Sequence, residues 1–146
     1  MIARAGLLLL AGTILAAAQT APGKTKIIKD EKGMCQATVP AEAVVALPWI
    51  AQGADKSYSV ILDRDSDTFA VLSPADLQNL HYSKAYENTA TRQIVETEAH
   101  TGLPGYRAIH VYLPLPTGRC HAGISFKTSV SEDKMKRIAT SVTRIK

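Results

Sequence analysis

The chain is poor in the residues that most often announce a chemistry. It has two cysteines, one tryptophan and two phenylalanines, and aromatics make up only 5% of its 146 residues. Two cysteines are too few for a zinc ribbon, an iron–sulfur cluster or a disulfide-dense scaffold. They stand 85 residues apart, which excludes a local C-x-x-C redox pair. No P-loop, G-x-S-x-G elbow, H-E-x-x-H helix or G-x-G-x-x-G turn occurs. No catalytic residue, metal or cofactor is therefore assigned. Basic stripes with interleaved aromatics are missing too. Lys24, Lys26, Lys29 and Lys32 alternate with apolar and acidic neighbours and read as a solvated edge strand. Nucleic acid is not an expected partner, and the net charge of +4 reads as ordinary solubility.

What is present starts with a leader. Arg4 precedes an apolar run, Leu7–Ala18, that ends in Ala16-Ala17-Ala18. The run is shorter than the roughly 20 residues of a spanning helix. Positive start, apolar middle and small-residue end together predict a signal peptide over residues 1–18. Residues 19–24 read as a flexible mature terminus and residues 25–146 as a single α+β domain. The expected location is periplasmic or secreted, with nothing spanning the membrane after cleavage. An even cysteine count in an exported chain predicts a Cys35–Cys120 disulfide.

Alternation and turn residues predict the elements. Asp30–Gly33 turns one short strand into another, which places Cys35, Ala37 and Val39 on one face. Residues 40–56 are broken by Pro48 and Gly53, and Trp49 reads as a core anchor or a lid. A strand over 57–63 is followed by an acidic turn and a second strand over 68–73. Ser73 caps a short helix with Pro74 at its first position, ending near Tyr82. Residues 83–91 read as loop, 92–99 as a strand and 101–105 as a turn. Strands over 106–113 and 119–127 form a hairpin. Ser131 then caps an amphipathic helix whose apolar face is Met135, Ile138, Ala139, Val142 and Ile145. The expected fold is α+β, an antiparallel β-sheet with this C-terminal helix packed on it as a two-layer sandwich.

The hairpin settles what the Cys120–His121 pair is. Burying both apolar sets on one face puts Leu113 opposite Cys120 and Val111 opposite Ala122. Cys120 then faces the core and His121 the other side, since adjacent strand residues point apart. A cysteine–histidine nucleophile is disfavoured. The same register places Tyr112 opposite His121, with His110 diagonal to it and Tyr106 further along. Tyr106, His110, Tyr112 and His121 are the candidate ligand-binding residues. Two imidazoles fall short of a zinc set, and nothing in the sequence brings His81 or His100 to them.

Other stretches carry less. Asp63, Asp65 and Asp67 imitate the start of a calcium loop, but Thr68 and Pro74 stand where glycine and glutamate are needed. Glu96 and Glu98 share a strand face and read as plain surface carboxylates. The element order, carried by MCQATVP, Trp49, the 106–127 hairpin and Met135–Ile145, resembles the PsbP-like α/β sandwich family. That resemblance implies a binding or assembly module and supplies no catalytic residue. The leading expectation is an exported, non-enzymatic module of the cell envelope that binds a protein or small molecule. The alternatives are a small secreted hydrolase or metal-dependent enzyme using the His110, Tyr112 and His121 face, and a secreted inhibitor presenting LPLPTG.

Overall fold

The computed structural model describes residues 23–98 and 104–146. The leader over 1–18, most of the 19–24 terminus, His100 and the start of the 101–105 turn lie outside the described residues.

Short alternating segments fold here as antiparallel strands. β1 (Thr25–Lys29) and β2 (Cys35–Pro40) form a hairpin, and β10 (Thr143–Arg144) adds to the other side of β2. A second sheet runs β3 (Val44–Leu47), β4 (Ile50–Gln52), β5 (Tyr58–Asp65), β9 (Arg119–Lys127), β8 (Tyr106–Pro114), β7 (Gln93–Thr97) and β6 (Tyr82–Asn88). Two short helices complete the chain, α1 (Pro74–Asn79) and α2 (Glu132–Thr140).

The core lies between the sheets. β2 contributes Cys35, Ala37 and Val39, and the larger sheet contributes Val60, Leu62, Ile109, Val111, Ala122, Ile124 and Phe126. α2 packs beside β2, β8 and β9 and adds Met135, Ile138 and Ala139. Cys35 and Cys120 are joined across the two sheets, with Cα atoms 6.4 Å apart. Trp49 packs against the edge of this core.

The β1–β2 turn depends on one buried carboxylate. Asp30 accepts from the backbone N–H groups of Met34 and Cys35 at 2.6 Å each and of Lys32 at 3.0 Å. Arg64 meets it at 3.2 Å. Gly33 takes φ +67°, which glycine adopts without strain.

The architecture corrects the expected fold class. The protein is mostly antiparallel β, with sheets of three and seven strands and two small helices, and is not a helix-on-sheet sandwich. Three local reasons account for this. α2 ends at Thr140, and Thr143 and Arg144 pair with Gln36 and Cys35 instead of extending the helix. Residues 83–88, read as loop, belong to edge strand β6, which starts at Tyr82 where the short helix is expected to end, and whose two register shifts blur its alternation. The broken 40–56 stretch forms β3 and β4. Conversely, residues 68–73 form no strand.

Candidate functional site

The face of the seven-stranded sheet turned away from the core holds the site. Directly opposed residues share a face, so pairing writes it out in rows. One row runs Asp63, His121, Tyr112, Gln93 across β5, β9, β8 and β7. The next runs Leu47, Ile50, Ile61, Gly123, His110, Val95. The hairpin register is the one that hydrophobic parity requires, with Leu113 opposite Cys120 and Tyr112 opposite His121.

Half of this face is covered. Gln93 Nε2 donates to the Ala70 carbonyl, and the Asn88 amide holds both backbone groups of Leu72, at 2.7 and 3.1 Å. The 66–73 segment thus crosses the β7 side, and Gln93 and Val95 are buried. The β3–β5 side is open, with Leu47 45% and Ile61 43% exposed. His110, Tyr112 and His121 stand at the boundary and are half-buried.

There the side chains join in series. His121 Nδ1 lies 2.8 Å from Asp63 Oδ1, and His121 Nε2 lies 2.7 Å from His110 Nδ1. The two imidazoles are 13° from coplanar with centroids 5.0 Å apart, so they meet edge to edge through their nitrogens. Tyr112 stacks against His121 at 4.9 Å, and the Arg119 guanidinium lies 4.0 Å over the Tyr112 ring. Asp65 and Asp67 hold that guanidinium at 2.9 and 3.1 Å. A Cβ added at Gly123 would sit 3.6 Å from His121 Cε1, so glycine leaves the gap beside the His121 ring.

This order fixes the protons. A carboxylate only accepts, so His121 Nδ1 donates to Asp63. With His121 neutral, its Nε2 accepts and His110 Nδ1 must donate. His110 Nε2 is then a bare acceptor. With His121 protonated, its Nε2 donates, His110 Nδ1 accepts, and the His110 proton moves to Nε2. The hydrogen-bonding sense of His110 Nε2 therefore reverses without movement of the heavy atoms. Among the described residues no group bonds this nitrogen, and no buried side-chain nitrogen or oxygen lacks a partner. Burial, then the neighbouring His121, lowers the His110 pKa to about 4. Burial and a hydrogen bond with Tyr82 hold the Tyr112 phenol well above its usual range.

The series arrangement bears on metals. Metal ligands must converge on one point, whereas His121 uses both nitrogens on Asp63 and His110. Among the described residues no group of three His, Cys, Asp or Glu side chains could hold a metal ion. Of the four candidate residues, three come together. Tyr106 lies at the far end of β8, opposite Lys127 and 37% exposed. His81 stands apart, 3.8 Å from Glu98. The LPLPTG stretch is a tight turn closed by Leu115 N–H to the Gly118 carbonyl, with Leu115 packed on the core.

Two groupings were missed by sequence reasoning. Asp63 belongs to the site through β5–β9 pairing, and the only signal was its alternation with Val60 and Leu62. On the core side, Glu96 is buried and bridged bidentately by Arg107 at 2.7 and 2.9 Å, which corrects its reading as plain surface. Tyr86 donates within reach of both Glu96 (2.7 Å) and Glu132 (2.5 Å). Burial works against the Glu96 carboxylate, but Arg107 and Tyr86 outweigh it and lower its pKa.

Among the described residues no helix is long and apolar enough to cross a membrane. No protein-family model matches the chain, and no curated protein matches it.

Proposed function

We propose that the chain is an exported binding module of the cell envelope, without enzymatic activity, whose ligand lies on the open side of the outer sheet face against His110, Tyr112 and His121. The observation that carries this reading is the Asp63–His121–His110 series. With His121 neutral it holds a half-buried imidazole in one tautomer, and among the described residues no group bonds its Nε2. Beside it lie an aromatic ring and the gap at Gly123, and the exposed Ile61 follows in the same row. A few fixed polar groups among apolar ones are the usual makeup of a small-molecule site. The ligand chemistry that fits is a ring bearing an N–H or O–H donor. The disulfide and the absence of a membrane-crossing helix among the described residues are compatible with an extracellular location. The leader over residues 1–18 and the PsbP-like resemblance, with its binding and assembly modules, belong to the same reading.

Phenol and indole test it, with toluene as the probe lacking a donor. Phenol and indole should shift the amide resonances of Ile61, His110, Tyr112, His121 and Gly123 saturably, and toluene should bind more weakly. His110→Phe should remove that preference. Shifts elsewhere, or equal binding of toluene, would contradict the reading.

A second reading has one observation in its favour. A neutral imidazole backed by His121 and Asp63 is the geometry of a general base. If the face is a hydrolase, the wild type will hydrolyse p-nitrophenyl acetate and His110→Gln will not. Equal rates would remove that reading.

A further inference from the structure

On the far side of the core, α2 and the β1–β2 hairpin enclose a groove of about 430 Å³. That volume lies within the range of small-molecule sites. Val39 and Ile138 form its floor, and Pro40 stands on one wall. Lys24, Lys134 and Arg137 line its rim, and none of its lining residues is acidic. Lys134 is spoken for, 3.7 Å from Glu42 and over the Tyr58 ring. Among the described residues neither Lys24 nor Arg137 has a carboxylate partner. The two serine hydroxyls of the groove are committed inward, while Thr25 and Thr38 add hydroxyls to its lining. Ser131 caps α2, and Ser141 accepts from Thr38 N–H and donates to a helix carbonyl. Two unpaired cations therefore dominate the mouth of a cavity with an apolar floor.

We infer that this groove binds a medium-chain carboxylate, its head on Arg137 and Lys24 and its chain along Val39, Pro40 and Ile138. A guanidinium matches a carboxylate in a two-point contact. The aliphatic stems of Lys134 and Arg137 extend the apolar wall. An acidic peptide fits less well, because the groove offers only two free cations and a floor suited to alkyl groups. This site is independent of the outer sheet face and goes beyond the function proposed above.

Decanoate is the probe, with decanol and butyrate as controls, followed by amide shift mapping and calorimetry on the whole protein. Decanoate should bind saturably and perturb residues 38–40 and 131–141. Decanol, which lacks the charge, and butyrate, which lacks the chain, should each bind about tenfold more weakly or worse. The double variant Lys24→Gln/Arg137→Gln should weaken decanoate by about tenfold or more and leave decanol unchanged. Both side chains are exposed, so folding is retained. Arg137→Lys, which keeps the charge, should recover part of the loss. Three results would overturn the inference: equal binding of decanol, no response to the double variant, or shifts centred on exposed Val44 and Leu47. Failure of decanoate to bind at all would overturn it as well.

Discussion

His121 Nε2 lies 2.7 Å from His110 Nδ1, and the same His121 ring is held by Asp63 on its other nitrogen. Only one proton fits between the two imidazoles. Protonating both would place two cations in contact on a half-covered face.

Acid should therefore cost stability through His110. Its folded pKa is lowered to about 4 from 6.5. Above pH 6.5 both folded and unfolded chains hold it neutral, and it costs nothing. As pH falls from 6.5 toward 4, the unfolded chain takes up a proton that the folded chain refuses. Stability drops through that window by up to about 3 kcal/mol and levels off below it. Urea unfolding at pH 7 and pH 4.5 measures the loss, and His110→Gln should lose less across the same interval. Equal losses would place the acid sensitivity elsewhere.

Gly123 separates packing from proton order. A Cβ there makes ordinary contact with His121 at 3.6 Å, so Gly123→Ala should keep the two histidines joined. Gly123→Val adds two methyl groups to the gap and should push the His121 ring away from His110. The fold should survive, since valine suits a strand. Crystal structures of both variants check this, and a retained 2.7 Å contact in the valine variant would contradict it.

The legible part of this site was its local part. Cys120 and His121 are neighbours on a strand, so parity alone sent one inward and one outward. Leu113 and Cys120 belong to one hairpin, and its register follows from burying both apolar sets. Asp63 was illegible because it reaches His121 through strand pairing across 58 residues. Nothing local says which strand will pair with β5. β6 was hidden by its bulges, and Glu96 by its partner, since Arg107 lies on another strand. The helix was legible at Ser131 but not at its end. Val142 stays in the apolar pattern of the helix, while Thr143 and Arg144 are captured by β2.

The disulfide joins the two sheets and closes a span of 85 residues. Removing it should cost roughly 4–5 kcal/mol in the chain-entropy account. That is a large part of a domain's typical ~5–15 kcal/mol. Urea unfolding with and without reductant measures it. The native oxidised protein should also resist alkylation, because both sulfurs are bonded and buried.

Arg107 and Glu96 form a two-point pair beneath Tyr86. Arg107→Met leaves Glu96 buried without its partner and should destabilise by about 2 kcal/mol, discounted for the half-exposed arginine. Adding Glu96→Gln should recover part of that loss. A double-mutant cycle reads the coupling, and strictly additive effects would contradict a direct pair.

The most direct test of the account is long-range ¹H–¹⁵N spectroscopy of the histidine rings at neutral pH. The account predicts a proton on Nδ1 of both His121 and His110, and none on His110 Nε2. A proton on His110 Nε2 at neutral pH, or averaged signals from rings in no fixed tautomer, would contradict the ordered series on which the proposed binding face depends.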